Sequence, residues 1–505
     1  MAAAVAFRVD ASRAIGTGHV FRCLTLADAL ARRGAACRFV CRDLPGALTG
    51  LIEARGHQVH LLPAPAGDAP ADSGYAGWLG VDWAQDAEET AAALADGADW
   101  LVVDHYALDA RWEAQLRAVA PRVLVIDDLA DRRHDCDLLL DQQAVDGMAD
   151  RYRGLLPDRC MALLGPHHAL LRPDFARRRA AGLKDRAAPV ERLLVFFGGA
   201  DTLNLGLRTV EALDHIAPGQ LAVELVVGLA NPHAEALEAA AAARPWLTLR
   251  PGDSEMSALM AGADLMIGGA GTTTWERCAL GLPAIAVAMA DNQRLGAEHV
   301  AREGAMLFLG DAAAADGAAI GAALETLLAS PWLRVTMAER AAALVDGKGA
   351  DRVAGLLLAD AVTLRPAGPA DAGMILDWRN APATRAVSGS GEEIDPAGHK
   401  AWFARVLADP NRHLLIGEKE GAGIGCVRFD CDGDRAIVSI FLAPERIGEG
   451  LGPPLLAAGI AWLAGAVPDC RWVEAEVKAG HAPSERLFLG AGFTPMLSRY
   501  RRPLR

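Results

Sequence analysis

The stretch Asp10-Ala11-Ser12-Arg13-Ala14-Ile15-Gly16-Thr17-Gly18-His19-Val20-Phe21-Arg22 holds residue types able to do chemistry, at a useful spacing. It follows the apolar segment Val5–Val9 and leads into the helical pattern Cys23–Arg33. A strand, a glycine turn and a helix in that order aim backbone N–H groups at an anion. The turn also delivers an imidazole, His19, to the mouth of the site, where it can take a proton from an attacking water. Asp10 and Arg13 are candidates to orient His19 or the substrate, and Gly16, Gly18 and Arg22 join them as substrate-binding residues. A tight turn with a surface histidine reads the same way locally, because short glycine motifs recur without function.

A second junction of this kind is Leu265-Met266-Ile267-Gly268-Gly269-Ala270-Gly271-Thr272-Thr273-Thr274-Trp275-Glu276. Gly269 and Gly271, with the hydroxyls of Thr272 and Thr273 beside free N–H groups, suit a diphosphate. Glu276 falls in the first or second helical turn, within reach of a ribose. The turn Phe197-Gly198-Gly199-Ala200-Asp201 and the segment Ala290-Asp291-Asn292-Gln293 open on the same sheet edge. Each alone reads as helix capping; together they read as one binding edge. Tyr106 and Asn292 are candidates to grip sugar and diphosphate. Asp127-Asp128 invites a metal, but no third ligand stands nearby. A strand-end turn or cap is the preferred reading, and no metal is expected.

Stepping along 505 residues, more than one core is required, since single cores stop growing near ~250–300 residues. A formal net charge of −14 argues against general phosphate-backbone binding but not against a small anion held by amides. Nine scattered cysteines without a Cys-x-x-Cys pair suggest reduced thiols in a cytoplasmic protein. No secretory signal is recognisable, and the longest apolar run, Leu451–Val467, is broken by Gly452-Pro453-Pro454 and too short for a membrane span.

Three blocks follow. Residues 1–172 alternate strands (Val5–Val9, Cys37–Cys41, Trp100–Val103, Val123–Ile126) with Ala- and Leu-rich helices, the grammar of a parallel α/β sheet. A basic stretch from Pro173 to Pro189 opens the second block, 173–362, with strands at Leu193–Phe197, Leu221–Val227, Leu265–Ile267 and Ala284–Val287. Ala312–Ala323 reads as helix. The third block, 363–505, has helices at Ala370–Arg379 and Gly398–Leu407, then the strands His413–Glu418, Ile424–Phe429, Ala436–Leu442 and Trp472–Val477, an α+β pattern.

Phe7–Ser12 with Ile15–His19, Val102–Tyr106, Ile126–Arg132, Leu138–Gln142 and Gly268–Glu276 resemble the UDP-sugar hydrolases of pseudaminic acid biosynthesis (the PseG type) over residues 5–350. That resemblance implies the GT-B arrangement of two Rossmann-like domains around a cleft. It implies metal-free hydrolysis of UDP-2,4-diacetamido-2,4,6-trideoxy-β-L-altropyranose with inversion, and His19 as the catalytic residue.

The run Phe441-Leu442-Ala443-Pro444-Glu445-Arg446-Ile447-Gly448-Glu449-Gly450-Leu451-Gly452 follows a strand and opens an apolar helix, and His481-Ala482-Pro483-Ser484 starts another. This order resembles the GNAT N-acetyltransferases, specifically the amino-sugar type of the same pathway (PseH), over 363–505. It implies acetyl-CoA held by Leu442, Arg446, Gly448, Gly450, Leu451, Gly452, His481 and Ser484. Ile447 stands where many members have Arg or Gln, His481 where Asn is usual, and Phe488 where many carry the Tyr that protonates the leaving thiolate. The general-acid assignment therefore stays open, with Glu474 and Glu476 as proton-relay candidates. The expectation is a bifunctional enzyme that acetylates a UDP-linked amino sugar and then hydrolyses it, alongside other enzymes of the nonulosonic acid pathway. A GT-B glycosyltransferase and a sugar-nucleotide-binding regulator with an acetyl-CoA sensor are the alternatives.

Overall fold

The computed structural model describes residues 3–493, except 13, 68–73, 220, 229–230, 253–254, 359–361, 387–391, 420, 468, 479 and 492. Two compact units divide at Ala350/Asp351.

The first unit carries two parallel sheets. One comprises β1 (Ala4–Val9), β2 (Ala36–Arg42), β3 (Gln58–Leu62), β4 (Trp100–Asp104), β5 (Val123–Ile126), β6 (Leu138–Asp141) and β7 (Met161–Leu164) in the order β3-β2-β1-β4-β5-β6-β7. The other comprises β8 (Arg192–Phe196), β9 (Ala222–Val227), β10 (Leu247–Pro251), β11 (Leu265–Gly269), β12 (Ala284–Ala288) and β13 (Leu307–Asp311), ordered β10-β9-β8-β11-β12-β13. Strands β4, β5, β6, β11 and β12 are buried at every residue, which is why they read as unbroken apolar runs. Strands β3 and β10, with mixed sequences and half-exposed edges, gave no such signal. In both sheets the strand order reverses, between β1 and β4 and between β8 and β11, and a crevice opens there at the carboxyl ends.

One expectation is corrected. The alanine-rich stretch becomes helical only from Gly317, because the Asp316 carboxylate caps Gly317–Ala329 by accepting the Ala319 N–H at 2.8 Å. Before it, Asp311 accepts the N–H groups of Ala313 and Ala314 in a turn. The Pro173–Pro189 separator contains a helix, Pro173–Ala180, whose leading proline loses no helical hydrogen bond.

Beneath the first sheet lies a buried charge network. Arg8 of β1 and Arg42 of β2 both donate to Asp86, at 2.7 and 2.6 Å, from inside the protein. The Trp112 indole N–H adds a third donor at 3.0 Å. Burial alone would raise the Asp86 pKa, but Arg8 and Arg42 pull it below the ordinary value.

The second unit holds β14 (Thr363–Pro366), β15 (Arg412–Lys419), β16 (Ala422–Asp432), β17 (Arg435–Leu442) and β18 (Trp472–Ala475) in sequential order. All pairs are antiparallel except β17–β18. Side chains alternate across the pleat. Cys426 joins Ile375, Trp378 and Phe403 under the helices Ala372–Asn380 and Pro396–Ala408, while Val427 and Phe429 join Leu455, Leu456 and Phe488 on the opposite face. Among the described residues, no helix is long and apolar enough to cross a membrane.

Replacing Asp86 with Ala strands two buried guanidinium groups, a loss of about 3–5 kcal/mol in chemical denaturation. Unchanged stability would show the network to be dispensable.

Candidate active site

His19 enters at the second residue of the helix Gly18–Ala31, just beyond the β1 edge. The loop before it is tight: Ser12 Oγ accepts the N–H groups of Ala14 and Ile15, and Gly16 donates its N–H to Ser12 O at 2.8 Å. Gly16 sits at φ +80°, where a side chain would be strained. The helix has no acidic residue in its first turn and no side-chain cap on Thr17.

The carboxylate facing His19 comes from β4. Asp104, paired in register with Val9, accepts from His19 Nδ1 at 2.6 Å. Arg22, one helical turn after His19, sends Nε and Nη2 to the two Asp104 oxygens, both at 2.6 Å. Burial would raise the Asp104 pKa, but Arg22 and His19 hold it well below the usual carboxylate range. An ionised Asp104 fixes the proton on Nδ1 and leaves Nε2 with its lone pair. His19 is only 8% exposed, closed in by Tyr106 and Trp78, whose rings meet its imidazole edge-on at 4.8 and 5.9 Å.

Arg22 also reaches Asp128, at 3.2 Å, and Asp128 accepts from the Tyr106 hydroxyl. The two neighbouring aspartates differ in use. Asp127 makes the strand-end turn, accepting the Ala130 N–H and the Tyr152 hydroxyl, whereas Asp128 turns toward the cleft. There it lines a pocket of about 120 Å³ with Arg151 from its own half and Asp291 and Asn292 from the other. Burial pushes Asp141, tied to Tyr152 and Arg151, up to about 7.

Asp10 is corrected from orienting His19 or the substrate to supporting the sheet. Fully buried, it pairs with Arg8 at 2.7 Å, accepts the Arg42 N–H at 2.7 Å and faces His105 at 3.4 Å. Arg13 lies outside the described residues. Gly18 begins the helix.

In the second half, Gly199 follows β8 and crowds Gly228, whose side chain, if present, would stand 2.1 Å from the Gly199 carbonyl oxygen. Gly269 ends β11, Gly271 precedes the helix Thr273–Ala279, and Thr272 is its exposed N-cap. Buried Arg277 donates to Gly269 O at 2.9 Å and to Thr274 Oγ1 at 2.9 Å, clamping strand to helix, with no carboxylate partner among the described residues. Burial lowers its pKa to about 10. Gln293 accepts the Met289 N–H, so its side chain braces the loop, while Asn292 stays exposed to the cleft. Glu276 lies 4.0 Å from Arg172, and burial raises its pKa to about 7 against that charge.

Sequence reasoning gave no site role to Asp104, Arg151 or the aromatic pair Tyr75 and Trp78 on the 3-10 turn Gly74–Leu79, and weighed Asp128 only as a metal ligand or a strand-end turn. One signal was available. Three of the chain's four tyrosines, Tyr75, Tyr106 and Tyr152, converge around Asp127 and Asp128.

In the second unit, Leu442 ends β17 and Arg446 pairs with Glu449 at 3.4 Å. Gly448 and Gly450 take φ +92° and +78°, and a side chain on Gly450 would stand 2.8 Å from the Arg352 backbone. Leu451 and Gly452 start the helix Gly452–Ala466. Pro453 and Pro454 then remove two of its first-turn donors. His481 Nδ1 lies 2.8 Å from Ser484 Oγ. Phe488 is buried against Phe493 and offers no proton.

Two switch-point crevices facing one cleft, with a histidine–aspartate pair in one half and glycine turns in the other, define the GT-B fold; a separate GNAT acetyltransferase domain follows. Residues 193–352 match the glycosyltransferase family 28 C-terminal domain, and 361–494 the acetyltransferase (GNAT) domain. The chain is similar to the UDP-2,4-diacetamido-2,4,6-trideoxy-beta-L-altropyranose hydrolase of Campylobacter jejuni, 25% identical over 59% of this chain and 97% of that protein. It is also similar to the spore coat polysaccharide biosynthesis protein SpsG of Bacillus subtilis, 28% identical over 38% of this chain and 57% of that protein's length. Acinetobacter baumannii MurG shares the fold, with a TM-score of 0.51 at 16% identity across 71% of this chain and 99% of that one.

Glu276 supplies a pH test. Its proton leaves near 4.5 when unfolded and near 7 when folded, so the folded state binds more protons between those values and stability falls as pH rises through them. Glu276→Gln should remove that fall, read as denaturation midpoints between about pH 5 and 7.5. Identical pH slopes in both proteins would place the carboxylate in water.

Proposed function

We propose that the first unit hydrolyses a UDP-linked diacetamido-trideoxy sugar and that the second N-acetylates its 4-amino precursor with acetyl-CoA. The observation that carries this is the His19–Asp104 pair at 2.6 Å with Arg22 holding the carboxylate ionised. His19 Nε2 takes a proton from water as the water oxygen attacks the anomeric carbon. The C–O bond breaks on the opposite face, inverting that centre, and UDP leaves with the bonding electrons. Asp104 stabilises the imidazolium without taking its proton. Tyr106 and Trp78 offer ring faces to the sugar, and Gly269, Gly271, Thr272 and Thr273 offer N–H and hydroxyl donors to the diphosphate. Asn292 and Glu276 are assigned to the sugar nucleotide as well.

Hydrolysis is preferred over glycosyl transfer because the similarity to the hydrolase takes in 97% of its length. The similarity to N-acetylglucosamine transferases, such as that of Xylella fastidiosa, takes in 55% at 32% identity. In the second unit the amine nitrogen attacks the thioester carbonyl and gives up a proton to solvent, the C–S bond breaks, and coenzyme A leaves as a thiolate that takes a proton from solvent. The backbone of Gly448, Gly450, Leu451 and Gly452 holds its pyrophosphate.

His19→Ala should cut UDP release by ~10²–10⁴-fold while UDP affinity stays nearly intact, and Asp104→Asn should act in the same direction. Release at the unmodified rate from the His19 variant would overturn the assignment. Acetylation should precede hydrolysis, because a pocket shaped for two acetamido groups leaves partners unpaired around a free amine, at ~1–3 kcal/mol each. UDP release from the 4-amino compound should therefore accelerate about tenfold or more once acetyl-CoA is added, followed by time-resolved product analysis. Equal rates with and without acetyl-CoA would separate the two activities.

A further inference from the structure

Two thiols meet where β6 and β7 begin. Cys136 Sγ lies 3.4 Å from Cys160 Sγ, and both cysteines are free. Other thiols of the first unit face oxygen instead: Cys23 the Asp104 carboxylate at 3.5 Å, and Cys37 the Ala27 carbonyl at 3.6 Å. Cys136 is fully buried, whereas Cys160 is partly exposed to solvent.

The backbone around the pair is fastened on both sides. Leu138 of β6 pairs in register with Met161 of β7, and the Met161 N–H donates to the Asp137 carbonyl at 3.0 Å. Arg159 reaches Asp135 and Asp137, the second at 3.3 Å. Arg117 reaches the same two carboxylates at 2.8 and 3.1 Å. These contacts fall on the immediate neighbours of each cysteine and hold the two side chains face to face. Contact with Cys160, and then burial, raises the Cys136 pKa well above that of an ordinary thiol. The thiolate is the nucleophile toward an oxidant, so Cys136 waits as a thiol and the first attack falls to the exposed partner.

Between the two cysteines runs a segment that walls the cleft. Arg151 donates to the Asp128 carbonyl at 2.6 Å, and the Tyr152 hydroxyl lies 3.0 Å from both Asp127 and Asp141. After β6 this segment has only the 3-10 turn Met148–Asp150 as regular structure before β7. Its shape therefore depends on its two ends and on those few side-chain bonds.

We propose that Cys136 and Cys160 form a reversible disulfide when the protein meets peroxide, closing the chain between them into a ring that holds Arg151 and Tyr152 in place. Cys160, as thiolate, attacks a peroxide oxygen. The O–O bond breaks, the sulfur becomes a sulfenic acid, and the departing hydroxide takes a proton to give water. The Cys136 sulfur then attacks the Cys160 sulfur, the S–O bond breaks, and hydroxide leaves with the Cys136 proton as a second water. Two thiols give up two electrons, and one peroxide is reduced. A dithiol reverses the step by exchange. The ring restrains the segment by limiting how far it can open.

The test treats the full chain with stoichiometric hydrogen peroxide, then alkylates it in denaturant and maps the peptides. Two of the nine thiols should disappear together into one peptide joining Cys136 to Cys160, and a dithiol reductant should restore both. Tryptic cleavage after the exposed Arg153, inside the ring, should slow about tenfold on oxidation. In Cys160→Ser peroxide should leave that cleavage unchanged, and in Cys136→Ala it should carry Cys160 on to sulfinic acid. Cys160 oxidised beyond sulfenic acid in the unmodified chain, with Cys136 still open to alkylation, overturns the proposal. So does a crosslink to a different cysteine, or equal cleavage before and after crosslinking. Should a variant fail to fold, peptide mapping and cleavage of the unmodified chain decide alone.

Discussion

The first unit's chemistry depends on one buried charge pair, Arg22 with Asp104. Both are almost fully out of solvent, and each would be costly there alone. Together they settle three things. The carboxylate stays ionised, the imidazole keeps its proton on Nδ1, and the first two turns of the Gly18–Ala31 helix are bound to the end of β4. Because Arg22 also reaches Asp128, the same guanidinium ties the β4 and β5 ends into one rigid wall of the cleft. The Arg8–Asp86–Arg42 network does comparable work beneath the sheet, fixing β1 and β2 so that the loop from Asp10 to Thr17 leaves in a defined direction.

The fold was largely legible because continuous apolar runs such as Val123–Ile126 and Ala284–Val287 are what two-sided burial demands. His19 was legible because it sits inside a local glycine pattern. Its partner was not. Asp104 lies 85 positions away, and only the β1–β4 pairing brings them together. Asp10 shows the converse, a charged residue within the motif that folding buries against Arg8 instead of exposing it to a ligand. Asp127 and Asp128 are indistinguishable as letters; the turn that follows β5 takes one for its own hydrogen bonds and leaves the other at the cleft. Tyr75 and Trp78 stood in a loop with no periodicity, so nothing local tied them to the site.

The second unit pairs a recognisable scaffold with altered chemistry at its edges. Its glycine turn keeps the positive φ angles a close phosphate approach needs, but Pro453 and Pro454 leave fewer amides to grip. Phe488 is committed to the core, so proton delivery to the leaving thiolate falls to another group or to solvent.

The His19–Asp104–Arg22 triangle is complete within one half of the cleft, whereas Gly271, Thr272 and Glu276 belong to the other. The histidine–aspartate pair and the glycine turns thus lie in separate halves of the first unit, joined by the segment around Pro173–Ala180. A substitution in the second half can therefore reshape its glycine turns without touching the hydrogen bonds that set the His19 tautomer.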